Sequence, residues 1–193
     1  LGFVRAGGDA LCVLRAGPET RPGREVQVGQ RLPLIAPLGP VLVAWSPMSE
    51  QEGWLQRGGA PGASRREQSR LLEVVRRRGY AVALEVEERR LIGEVVLQLR
   101  DDPRSEGLNG DLRTLIAGLR RTECQMTNGR KASYAVSTIT APVLNRLGEF
   151  QLAISIQGFP DRMSRREVRR LGEGLLEACE TASANVAGHF GRG

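Results

Sequence analysis

Residues 28–47 read VGQRLPLIAPLGPVLVAWSP, with Arg31 the only charged side chain among them. The Gly39-Pro40 pair breaks the apolar run and is suited to opening a helix, because proline is tolerated in a first helical turn. Residues 134–171 read YAVSTITAPVLNRLGEFQLAISIQGFPDRMSRREVRRL. Alternation predicts strands over 132–143 and 149–157, with Asn145-Arg146-Leu147-Gly148 as the turn. Ser164 and Glu167 then form a capping-box pattern that opens a final helix. Its apolar stripe is Val168, Leu171, Leu175, Cys179, Ala182 and Val186.

Outward from these two stretches the chain is rich in punctuation. LGFVRAGGDALCVLRAG (1–17) predicts a hairpin around Gly7-Gly8-Asp9. Arg24–Gln30 suits a short strand. Ser49-Glu50-Gln51-Glu52 and Ser64-Arg65-Arg66-Glu67 repeat the capping-box spacing, and the second helix should stop near Gly79. Residues 79–86 then read as a strand. Between 87 and 125 the apolar residues Leu91, Ile92, Val95, Val96 and Leu99 fall at helical spacing. So do Leu112, Leu115, Ile116 and Leu119, after a candidate N-cap at Asp111. Asp101-Asp102-Pro103 and Asn109-Gly110 supply breaks. A helical hairpin is the expectation, with a strand pair over Ala81–Val86 and Glu94–Leu99 as the alternative.

The 193 residues suit one domain, or one domain with an insertion. Only 4% are aromatic, so aliphatic side chains must build the core. The net charge is +6, carried almost wholly by arginine, since Lys131 is the only lysine. The arginines alternate with glutamate along helical stretches, which reads as solvated helix faces rather than as a nucleic-acid surface. Cys12, Cys124 and Cys179 are odd in number and form no CxxC, so neither a zinc site nor a redox pair is expected. A reducing cytoplasm suits them. There is no apolar run of membrane-spanning length, so no membrane partner is expected. The chain begins Leu-Gly-Phe, without Met, and is expected to be a piece of a longer protein.

Catalytic patterns are sparse. His189 is the only histidine, so a Ser-His-Asp triad has a single tail candidate for its base and an HExxH zinc site is excluded. No acidic cluster has ligand spacing, no P-loop or GxGxxG occurs, and no cofactor is expected. Glu85 and Glu87 could pair for acid-base chemistry, but a solvent-facing strand edge or a helix start explains them more simply. Strand alternation places Thr138 with Thr140 on one face and Ser155 with Gln157 on one face. Hydroxyls and an amide gathered beside an apolar lining can orient a small ligand. On the residues alone, ordinary edge or surface strands explain them better.

Val28, Gly29, Pro33, Leu34, Gly39, Leu42 and Ala44, followed by Ala141, Pro142, Val143, Gly148, Ala153, Ser155 and Gly158, resemble the pattern of IclR-family transcription regulators. The resemblance covers roughly two thirds of the chain. It implies an α+β, GAF-like effector-binding domain over residues 1–193: a curved antiparallel sheet of about six strands flanked by helices. Residues 87–125 would be a helical insertion. The effector site implied is Leu38, Gly39, Thr138, Thr140, Ser155 and Gln157, with backbone N–H groups near Leu38 and Gly39 facing a carboxylate or similar group. The partners implied are a small organic effector, such as an organic acid or aromatic compound, and DNA through an N-terminal winged helix-turn-helix upstream. A homodimer or homotetramer is also implied. Pro40 stands where the family usually has Lys, Pro37 replaces a small residue, and Asn128 falls where an acidic residue is often found. These departures favour an effector less polar than a simple keto acid. No catalysis is implied. The alternatives are a GAF-like redox enzyme using a reactive cysteine, with Cys124 the best placed, and a dimerisation module whose pocket is filled by its own side chains. Direct DNA binding by this segment is expected to be weak or absent.

Overall fold

A computed structural model describes residues 1–18, 26–58, 62–102, 105–128 and 133–189. The hairpin opens the chain as expected: β1 (Gly2–Ala6) and β2 (Asp9–Leu14) pair antiparallel around Gly7, whose φ is 66°. The next strand is β3 (Arg31–Pro33), not Arg24–Gln30. Gly29, at φ 87°, turns the chain there, and Gln30 N–H closes onto the Gln27 carbonyl at 3.0 Å. Residues 24 and 25 lie outside the described set.

The helices α1 (Pro40–Val43), α2 (Met48–Arg57) and α3 (Gly62–Arg78) follow. Helix α2 begins at Met48 and α3 at Gly62, each before the serine expected to cap it. Glu50 and Glu52 instead pair with Arg5 and Arg65. Gly79, at φ 82°, ends α3 as expected, and β4 (Ala81–Leu84) follows. The segment beyond is helical: α4 (Glu87–Asp101) and α5 (Glu106–Asn128). Glu94–Leu99 is therefore not a strand. Asn109, Gly110 and Asp111 lie inside α5, whose first turn starts several residues earlier. Burial of Leu112, Ile116 and Leu119 outweighs the local break signal.

Strands β5 (Ser133–Tyr134), β6 (Val136–Leu144), β7 (Phe150–Ile156) and β8 (Met163–Ser164) precede α6 (Arg165–His189). The β6–β7 turn has a clear local cause. Asn145 Oδ1 accepts the N–H groups of Leu147 and Glu149, each at 2.9 Å, and Gly148 takes φ 76°. The capping box also forms as expected. Glu167 N–H donates to Ser164 Oγ at 3.3 Å, and Ser164 N–H donates to Glu167 Oε2 at 2.7 Å.

Six strands form one antiparallel sheet in the order β3-β2-β1-β7-β6-β4, with β5 and β8 paired apart. Register sorts its two faces. Val82, Ile139, Ala141 and Val143 pack with Val168, Leu175 and Cys179 of α6. On the opposite face, Phe3, Ala10 and Ala153 pack with Leu34, Val41 and Leu42 around α1, backed by Trp54, Leu72 and Val75. A third apolar cluster, Ile92, Val96, Leu112, Ile116 and Leu119, joins α4 to α5. Leu32 packs against both the second and the third of these clusters. The curled sheet with helices on both faces is the expected α+β, GAF-like architecture.

Candidate functional site

The segment from the end of β3 to the end of α1 is held by side chains that reach in from two helices. Arg57 Nε donates to the Leu34 carbonyl at 3.2 Å, Trp54 Nε1 to the Leu38 carbonyl at 2.8 Å, and Arg76 Nη1 to the Ala44 carbonyl at 3.0 Å. Trp54 is fully buried, so its indole both fills the core and satisfies a carbonyl that no strand or helix uses. Gly39 caps α1 at φ 65°, and a Cβ there would stand 2.8 Å from Leu34 Cδ1. Only glycine suits this corner.

Between this segment, α4 and the sheet lies a cavity of about 730 Å³. Leu38, Gly39, Thr138, Thr140, Ser155 and Gln157 all line it, so the six candidate residues meet in one place. Register explains the grouping, since Thr140 pairs with Ser155 across β6 and β7 and with Ala81 across β4. The Thr140 and Ser155 hydroxyls are 2.8 Å apart and share a hydrogen bond. Ser155 is only 5% exposed, and its backbone exchanges hydrogen bonds with Leu1. Gln157 lies just past the end of β7 and is exposed. Phe3, Ala10, Leu32 and Leu42 make the other end of the cavity apolar.

The expected cradle of backbone donors is smaller than the sequence suggested. The Leu38 N–H is taken by the Ile35 carbonyl at 2.7 Å, and Pro40 has none to give. Helix α1 is a single turn, so it adds little dipole. A charged group comes instead from the β4–α4 junction and α4, where Glu85, Arg89, Arg90 and Glu94 line one side. Arg90 bridges Glu87 and Glu94, the latter at 2.7 Å, and the hydrogen bond from Arg90 holds the Glu87 carboxyl below its ordinary range. Arg89 Nε donates to the Leu84 carbonyl at 3.1 Å. Glu85 and Glu87 are not neighbours on a strand, because β4 ends at Leu84 and α4 begins at Glu87. The side of α4 that faces the cavity carries Arg89, Arg90, Ile92, Gly93, Glu94 and Val96, and sequence reasoning did not assign it to the site. Its helical spacing was visible, but nothing local says where an amphipathic helix docks.

Cys12 and Cys179 are buried, and desolvation raises both thiols, Cys179 to about 11, so neither is poised as a thiolate. The side chains of Cys124, Asn128 and His189 lie outside the described set. Among the described residues no group of His, Cys, Asp or Glu could hold a metal ion. No described helix is long and apolar enough to cross a membrane.

No protein-family model and no curated protein matches the sequence. Solved structures do match. The repressor BlcR of Agrobacterium tumefaciens aligns over 95% of this chain and 57% of its own, at 18% identity and a TM-score of 0.50. An IclR transcriptional regulator from Alicyclobacillus acidocaldarius aligns over 95% of this chain and 58% of its own, at 19% identity and a TM-score of 0.55. The chain has the IclR-type regulator fold. It spans less than three fifths of either regulator's length. Within the IclR-type fold of this chain, the cavity opens on the sheet face opposite α6, between the Gly39 corner and α4.

Proposed function

We propose that this domain is the effector-binding part of an IclR-family transcriptional regulator. One observation carries the reading: a cavity of about 730 Å³, within the range of small-molecule sites, places a Thr–Ser hydroxyl shelf beside an apolar end. The likeness to two regulators supports the transcriptional role. In the intact protein a DNA-binding domain upstream would carry the DNA contact, in a homodimer or homotetramer in the cytoplasm. The α4–α5 hairpin would be this protein's own addition to the family's domain. An effector that prefers one arrangement of paired domains shifts their population and so moves the DNA-reading heads. The domain performs no chemistry on the effector. The buried thiols of Cys12 and Cys179, raised by desolvation, offer no nucleophile for the redox-enzyme alternative, whose best-placed cysteine, Cys124, lies outside the described side chains. The cavity speaks against a dimerisation module filled by its own side chains.

A thermal-shift screen of small organic acids and aromatic compounds tests the reading. A ligand at a hundred times its Kd adds about 2.7 kcal/mol, which raises Tm by roughly 5–10 °C for a domain this size. Ser155→Ala should weaken the response by about 1 kcal/mol. Turnover of any of these compounds by the purified protein, or a screen with no stabilising compound, would overturn it.

A further inference from the structure

Several of the described glycines have a visible steric reason. A Cβ on Gly172 would meet the Tyr80 ring at 2.3 Å, and one on Gly118 would meet Glu88 Cγ at 3.1 Å. Gly93 is different. It lies mid-way along α4, where glycine is a poorer helix former than alanine, and its φ is not positive. A Cβ there would meet nothing within 4 Å, yet Gly93 lines the cavity. It stands between Arg89 and Val96 on the stripe of α4 that faces the cavity, so a side chain at this position would project into the cavity or across its mouth. The β4 wall is also trimmed, with Ala81 and Ala83 at the positions facing Thr140 and Thr138. Helix and strand together leave a corridor from the charged side, past the hydroxyl shelf, to the apolar end.

We infer that Gly93 is the specificity-determining residue of this cavity, and that the corridor it keeps open admits an amphipathic ligand with an aryl or long alkyl body. This rests on the reading of the cavity as an effector site and adds the class of effector. A three-carbon keto acid would touch only a small part of a cavity of about 730 Å³. A ligand that spans it would set its polar end near Thr140 and Ser155 and bury its body beyond.

The probes are the uncharged fluorophore N-phenyl-1-naphthylamine and straight-chain alkanoates from acetate to decanoate. The proteins are the wild type, Gly93→Ala and Gly93→Phe, with Gly93→Leu as a second blocking variant should the phenylalanine variant not fold. The wild type should bind the fluorophore at one site per chain and bind alkanoates more tightly as they lengthen. Gly93→Phe or Gly93→Leu should weaken both by about tenfold or more, while Gly93→Ala changes them by less than about threefold. Each variant should keep a melting temperature at or above that of the wild type. Equal binding by the wild type and both blocking variants overturns the role of Gly93. Stabilisation of the wild type by short acids alone overturns the ligand class but leaves the effector-domain reading standing. Failure of every compound to bind overturns both.

Discussion

Replacing Gln68 by methionine should stabilise the domain. Gln68 lies on α3, one turn before Leu72, and is 2% exposed. Neither Oε1 nor Nε2 of its amide has a hydrogen-bond partner. A buried polar group left unpaired costs about 1–3 kcal/mol, because water is removed and nothing replaces it. Methionine has nearly the same length and helix propensity, so the substitution removes that cost with little change in packing. A gain of about 2 kcal/mol is expected, equal to roughly 4–8 °C in Tm for a domain of this size. Urea unfolding should give a higher midpoint at unchanged slope, which separates added native stability from an altered unfolded state. The control is Gln68→Glu, which sets a charge in the same buried position and should lower the midpoint. If Gln68→Met leaves the midpoint unchanged or lowers it, the amide is satisfied in solution, for example by ordered water, and the reasoning fails.

Two further outcomes follow from close packing and burial. Gly172→Ala should destabilise by about 1–2 kcal/mol, since overpacking against the buried Tyr80 ring outweighs the gain in helix propensity. Gly174→Ala, on the same helix with open space around it, should gain up to about 1 kcal/mol, and urea midpoints that fail to move in opposite directions would contradict the packing described. The Cys179 thiol should stay protonated and unreactive toward iodoacetamide in the native protein at pH 8, because its pKa is raised to about 11 by desolvation. A native-state pKa raised above the unfolded one means that the neutral thiol's stabilising contribution is complete at pH 8. It begins to fade as pH rises past the unfolded value, near 9, and is spent above about 11. Rapid alkylation of Cys179 at pH 8 without unfolding would show the site to be open.

The parts of the fold governed by near neighbours were legible. The strands around Asn145–Gly148 alternate cleanly and carry an asparagine that can close its own turn. Ser164 and Glu167 satisfy each other as their spacing predicts. Gly79 stops α3 because its left-handed backbone suits glycine. Identical local patterns failed where tertiary partners competed. The glutamates of the Ser49 pattern pair with Arg5 and Arg65, and Asn109-Gly110-Asp111 continues a helix that apolar packing favours. The hydroxyl side of the site was readable because strand alternation fixes which side chains share a face. The α4 side was not, because the docking of that helix depends on Leu32, Ile35 and Leu38, which lie far away in sequence. The three anchors from Arg57, Trp54 and Arg76 to the Gly39 corner were equally out of reach.

The division of the apolar interior into three clusters bears on cooperativity. Each cluster holds its own helices, and the cavity touches all three through Val41 and Leu42, Val82 and Val136, and Ile92 and Val96. A molecule lodged there would act as a keystone, joining parcels that otherwise could loosen one at a time. In such an arrangement the message and the glue are the same contacts, so amide exchange on α4 and on β4 should slow together when the keystone is in place.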